Sequence, residues 1–352
     1  MTLSRWTLLL PAAFAFGQEA APFPLETLDP WKPAWEATLR SDQLSNPGET
    51  SDSFRRLSLQ LRLRWTWDLE LLRLEAGTRS AMGSDSNQFN SPRWDQQPSN
   101  GTQLDTVRAQ ASWATPRTFG SLSLGFQENS LVSSQALWDR DLRFLGAGGG
   151  LGLRSPGGWL QEAGFRAAAG RVRDILGGKV DFAAGQFVLK VDTGPVSWMA
   201  HADHWELSWD AGEERLRAQP GHRTEVRQRM KLEAGGAAST WHAAFPLEGR
   251  WFRSRNPETG ETSEEVQAIA GSRERLYWPQ FAFTWQRLSS TGTLYPVNGD
   301  EWWFYRRARG PRLDLSLPFP GHWVATLTYL RQRSDGDDYQ ITRTMVVLLK
   351  RF

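Results

Sequence analysis

Residues 54–67 read FRRLSLQLRLRWTW, and polarity changes at nearly every step. Leu57, Leu59, Leu61, Leu63, Trp65 and Trp67 alternate with Arg56, Ser58, Gln60, Arg62, Arg64 and Thr66. A helix would scatter that apolar set around its surface, whereas a strand gathers it on one face. The same period recurs along the chain. Val107, Ala109, Ala111 and Trp113 alternate with Arg108, Gln110 and Ser112; Val226, Met230 and Leu232 with Arg227, Arg229 and Lys231; Leu313, Leu315 and Leu317 with Arg312, Asp314 and Ser316. These segments are about ten residues long, the length a tilted membrane strand needs.

The connections alternate between short and long. Short ones fall at Asp68–Glu70, Thr115–Thr118, Ser155–Gly158, Asp192–Pro195, Gly235–Ala238 and Pro320–Gly321. Long polar ones fall at Ser41–Ser53, Ser80–Gly101, Ser130–Asp141, Asp210–Gly221, Ser254–Arg275 and Asn298–Ala308. Short turns on one rim and long loops on the other predict an all-β, transmembrane antiparallel up-and-down barrel of about sixteen strands, with periplasmic turns and extracellular loops. Seven tryptophans, Trp65, Trp67, Trp113, Trp159, Trp198, Trp241 and Trp323, lie beside the short turns. An indole at the headgroup level buries an apolar body and keeps its N–H wet, so these residues, with Phe352, form the expected interface girdle.

Composition sharpens this picture. There is no cysteine, so disulfides and thiolate metal sites are excluded. Mean hydropathy is −0.52, far from that of a helical membrane bundle. Lys+Arg total 41 against 39 Asp+Glu, a balance that gives no reason to expect a nucleic-acid partner. Residues 1–17 place Arg5 before a short apolar run ending Ala15-Phe16-Gly17, which reads as an export signal. Residues 18–33 read as a Pro-rich periplasmic lead, and residues 34–352 as the barrel.

Between Leu61 and Arg154, several stretches resemble the bacterial putative-porin family of outer-membrane barrels. They are Glu75-Ala76-Gly77-Thr78-Arg79-Ser80-Ala81, Leu104-Asp105-Thr106-Val107-Arg108-Ala109, Gly120-Ser121-Leu122-Ser123-Leu124-Gly125 and, most specifically, Leu137-Trp138-Asp139-Arg140-Asp141-Leu142-Arg143-Phe144. The resemblance covers about a quarter of the chain and implies a non-enzymatic channel without naming a solute. Leu145 stands where an acidic residue is expected before the glycine.

In such a barrel the polar face turns to the lumen, because charge at the bilayer midplane costs about 2–4 kcal/mol. The alternation names Arg56, Arg62, Arg64, Arg73, Arg108, Arg166, Arg227, Arg229, Lys231 and Arg343 as pore-lining, with Glu75, Glu233, Glu248 and Asp314 as the fewer acids. An arginine-lined tube favours anions. Ser80–Gly101 and Ser254–Arg275 are the expected inward-folding loops, and the charges of Trp138–Asp141 are expected to fix their loop.

The expected function is therefore an outer-membrane porin for passive diffusion of small hydrophilic solutes, with anion preference. A loop-closed structural or adhesive barrel is the alternative, and an outer-membrane enzyme a third. For the third, His201 and His204 fall on opposite faces of a strand, and neither G-x-S-x-G nor H-E-x-x-H occurs. No catalytic residue, metal or cofactor is expected. The expected partners are outer-membrane lipid, lipopolysaccharide and the barrel-assembly machinery, the last through Phe352. A homotrimer suits the chain's size.

Overall fold

The computed structural model describes residues 34–45, 54–85, 101–134, 136–139, 142–175, 178–210, 229–273, 275–294, 307–335 and 340–351. The proposed signal segment, the periplasmic lead, Arg227 and Phe352 lie outside them. Sixteen strands follow one another. They begin β1 (Ala34–Ser45), β2 (Phe54–Leu69), β3 (Leu72–Asp85), β4 (Gly101–Ala114), β5 (Thr118–Glu128), β6 (Arg143–Leu153), β7 (Leu160–Ile175) and β8 (Gly178–Asp192). They continue β9 (Val196–Asp210), β10 (Arg229–Trp241), β11 (Leu247–Arg255), β12 (Thr262–Gly271), β13 (Gln280–Leu288), β14 (Ala308–Phe319), β15 (Trp323–Ser334) and β16 (Gln340–Arg351). Each pairs antiparallel with its sequence neighbours, and β16 pairs with β1 from Glu36 opposite Arg351 to Ser45 opposite Thr342. Closure leaves no sheet edge, as backbone surrounded by hydrocarbon requires.

The connections 70–71, 115–117, 154–159, 193–195, 242–246, 272–279 and 320–322 share one rim with the start of β1 and the end of β16. The strand ends joined by the longer ones, 46–53, 86–100, 129–142, 211–228 and 289–307, lie at the other rim. Next to the short-turn rim the outer face forms an apolar belt. On β14 the exposed positions run Phe319, Leu317, Leu313 and Pro311, with Leu315 half-buried among them, before reaching Arg309. Ten residues at about 3.3 Å each, foreshortened by a tilt of about 40°, give the ~25 Å belt of an outer-membrane barrel. Trp65, Trp67, Trp113, Trp198, Trp241 and Trp323 lie on strands within a few residues of the short-turn rim, and Trp159 lies in its 154–159 turn. The Lys350 ammonium sits 4.8 Å from the Trp323 ring.

Two expected connections are corrected. Gly235–Ala238 is the middle of β10, not a turn. The small residues are there to give room: a Cβ on Gly236 would stand 2.6 Å from the His201 Nε2. Ser254–Arg275 is not a single loop, because it contains β12. Its alternation is masked at Glu264-Glu265, where one carboxylate faces outward and the other is buried.

Gly125 lies inside β5 with φ of +131°, and a Cβ there would meet the Val107 carbonyl oxygen at 2.1 Å. Gly125→Ala is expected to lower barrel stability by about 1–3 kcal/mol. Urea unfolding of the refolded protein, followed by tryptophan fluorescence, measures it; an unchanged midpoint would refute this.

Candidate functional site: a charged lumen under an inward loop

The inner wall carries clusters of paired ions. Asp42 on β1 accepts from Arg343 Nε (2.8 Å) and Nη2 (2.7 Å), and from Arg40 Nη2 (2.8 Å). Glu162 on β7 accepts from Arg166 Nη2 (2.7 Å) and lies 2.9 Å from Lys190 Nζ. Glu36 accepts from Arg351 Nε at 3.1 Å and faces Arg62 Nη1 at 3.9 Å. The largest cluster joins β2 to β6. Arg79 donates to Asp105 through Nε (3.1 Å) and Nη2 (2.7 Å), Arg143 Nη2 lies 3.4 Å from Asp105 and 2.9 Å from Glu128, and Arg64 Nη2 donates to Glu128 at 2.7 Å. Among the described residues, each of these four clusters holds one more cation than carboxylate. Arg108 with Glu75, Arg250 with Glu248 and Arg312 with Asp314 are balanced pairs.

Asp105 reaches the lumen because the ladder slips. Gly77 pairs with Thr106 and Thr78 with Leu104, so Asp105 is an extra residue on β4. A bulge of this kind re-aims a side chain. Counted by parity from Val107, Asp105 would face lipid; instead it is 2% exposed between arginines.

Loop 129–142 turns inward; of the two expected from length, Ser254–Arg275 contains β12, and residues 86–100 of Ser80–Gly101 lie outside the described residues. Ala136, Leu137, Trp138 and Leu142 are at most 2% exposed. They pack with Phe144 and inward-facing side chains of β7 to β10, including Val172, Phe182, Trp205 and Leu232. The Trp138 ring lies 4.7 Å from Phe182 and stacks on Trp205 at 5.7 Å. Backbone clamps hold the loop down. Gln186 accepts from Val132 N (2.9 Å) and donates to Val132 O (2.6 Å), and Thr293 Oγ1 donates to Ala136 O (2.6 Å). Asp139 is buried with the loop, whereas Arg140 and Asp141 lie outside the described residues.

This apolar lining inverts part of the expected wall. On β10, Met230 and Leu232 are buried toward the loop, and Arg229, Lys231 and Glu233 face outward. Lys231 Nζ pairs with Glu206 at 3.2 Å on that outer surface, both side chains half exposed. Arg229 and Lys231 are therefore not lumenal. Alternation identified two faces, but the loop makes the inner one dry here, while the outer one carries the charge. Of the other named cations, Arg62, Arg64, Arg108, Arg166 and Arg343 point inward in the pairs above. Arg73 pairs with Asp68 at the short-turn rim (2.6 Å). Arg56 stands opposite Asp42 and Asp85 in the ladder, with its side chain outside the description.

His201 points inward, its Nδ1 2.8 Å from Asp203 Oδ1, and His204 points outward toward Glu206. Among the described residues no group of three His, Cys, Asp or Glu side chains is placed to hold a metal.

A closed sixteen-strand barrel with an inward loop against a charged wall is the porin fold. No family model matches the chain, and no curated protein matches it in sequence. Solved structures do. OprB of Pseudomonas putida aligns with a TM-score of 0.64 over 91% of this chain and 94% of its own, at 10% identity. OmpF of Salmonella typhi, solved with daunomycin, aligns at 0.53 over 90% and 97%, at 12% identity. At these identities the likeness is one of fold.

Proposed function

We propose that this chain is a Gram-negative outer-membrane porin, with its short turns in the periplasm and its long loops outside. It passes small hydrophilic solutes by diffusion and prefers anions. The sequence resemblance to the putative-porin family and the porin-type barrel support the channel. The observation that carries the preference is the composition of the four lumenal clusters, each with one excess cation. A paired arginine keeps donors for a passing carboxylate or phosphate, and the low-dielectric wall lengthens the reach of the surplus charge. Asp203 and Glu265, buried on the loop's side, offset part of it. No nucleophile or cofactor enters this mechanism. Outer-membrane lipid surrounds the belt, Phe352 serves as the signal to the barrel-assembly machinery, and a homotrimer is the expected oligomer.

The test is the reversal potential of the refolded barrel in a planar bilayer under a salt gradient. An anion-signed potential is expected. Arg62→Ala with Arg64→Ala, whose side chains are 25% and 26% exposed, should reduce it by roughly half. Arg229→Ala with Lys231→Ala, on the outer surface, should leave it unchanged. A silent folded barrel would overturn the porin reading, and a cation-signed potential the preference.

A further inference from the structure

The connection from β11 to β12, residues 256–261, is short although it lies at the long-loop rim, and its own hydrogen bonds close it. Asn256 is fully buried, and its Oδ1 accepts from Glu258 N (2.8 Å) and Thr259 N (3.2 Å). Asn256 N donates to Glu261 O (2.9 Å), and Gly260 N donates to Asn256 O (2.8 Å). Gly260 takes φ of +74°, where a side chain would be strained.

This hairpin grips the segment that follows β13. Glu261 Oε2 accepts from both Thr291 N (2.7 Å) and Thr291 Oγ1 (2.8 Å). Asn256 Nδ2 donates to Thr291 O (3.2 Å), Thr259 Oγ1 lies 2.6 Å from Thr291 Oγ1, and Ser254 Oγ donates to Gly292 O. The fit is close, since a Cβ on Gly292 would stand 3.0 Å from the Glu261 carbonyl oxygen. The far end of the same segment touches the inward loop. Thr293 Oγ1 donates to Ala136 O (2.6 Å), and Leu294 is buried in the apolar cluster with Leu137 and Trp138. A displacement at Thr291 therefore reaches Ala136 through Gly292 and Thr293 alone. Thr291 and Thr293 are buried, whereas Glu261 is exposed at the rim.

We propose that the hairpin 256–261 sets the position of the inward loop from the outer rim, with Glu261 as its positioning residue and segment 289–294 as the strut between them. Hydrogen bonds to a carboxylate are charge-assisted, and here two donors of one residue converge on one oxygen. Loss of Glu261 leaves the buried Thr291 N–H without its acceptor, so the strut loosens and Thr293 no longer fixes Ala136. The consequence for current rests on the porin reading; the mechanical link does not.

Amide hydrogen exchange of the refolded full-length protein, followed by mass spectrometry, tests the strut without any current. Glu261→Ala is expected to speed exchange of residues 131–138 about tenfold, with β1 to β4 unchanged. Glu261→Gln should stay near wild type, because its amide oxygen keeps both acceptor bonds. Thr293→Val should match Glu261→Ala, and combining the two should add little, since both break one chain of contacts. Asp181→Ala, which removes an exposed acid from β8, should change nothing. In single-channel recordings, brief current excursions should be about tenfold more frequent in Glu261→Ala, and this effect should vanish once residues 131–142 are excised. Unchanged exchange in Glu261→Ala, equal acceleration in Glu261→Gln, or additive effects of Glu261→Ala and Thr293→Val would each overturn the strut. Faster exchange with an unaltered current would overturn the positioning role. Faster exchange in a silent barrel would support the strut and overturn the porin reading instead.

Discussion

Excision of residues 131–142 in favour of a short Gly-Ser hairpin is expected to raise single-channel conductance roughly threefold. The loop occupies the lumen because it is held from three directions. Trp138 stacks on Phe182 and Trp205, Gln186 clamps the Val132 backbone, and Thr293 donates to Ala136 O. Removal widens the passage but uncovers Phe182, Trp205 and Leu232, and a bare apolar constriction gates by dewetting. Current through the excised barrel should therefore flicker. Adding Trp205→Gln and Leu232→Ser should wet that wall and steady the current. Gln186→Leu is a milder change, because it leaves the Val132 N–H and C=O buried without their side-chain partner; it should produce brief openings above the wild-type level. Single-channel recording reads all three, and a conductance unchanged by excision would show that this loop does not set the constriction.

Asp105→Ala is expected to destabilise the barrel by about 3–5 kcal/mol, since it strands buried charge. Arg79, Asp105 and Arg143 have side chains only 2–4% exposed, so water cannot replace the lost carboxylate. Breaking one partner of such a pair costs far more than removing both. The combination Arg79→Met with Asp105→Leu should thus recover much of the loss. Urea unfolding in lipid vesicles measures both variants. Equal stability of Asp105→Ala and wild type would mean that the cluster is hydrated. The surviving Asp105→Ala channels should also show a stronger anion-signed reversal potential, because one lumenal carboxylate is gone.

Much of the architecture is legible along the chain because a membrane barrel imposes a simple local rule. The alternation of residues 57–67 matches β2, the tryptophans beside short turns stand at one rim, and the strand total agrees at sixteen. The misses are equally specific. Gly235-Gly236 imitates a turn yet makes space for His201. Glu264-Glu265 conceals a strand because its two carboxylates serve opposite faces. Asp105 breaks parity through a bulge whose signal is visible only in the ladder. Arg40, Arg79, Arg143 and Lys190 are lumenal cations that lie outside the clearest alternating runs, although Arg79 and Arg143 sit within the family-like stretches.

By itself, then, the sequence determined a period of two, a strand length, a closed all-β barrel and an arginine-rich polar face, because each follows from neighbours along the chain. The tertiary structure alone decided which face is which in β8 to β10, which loop turns inward, and how much lumenal charge survives pairing. Alternation states only that two faces differ; whether a face is wet depends on what packs against it. Here the loop centred on Trp138 makes part of the lumen dry, and the strands rising above the belt carry charge on their outer surface.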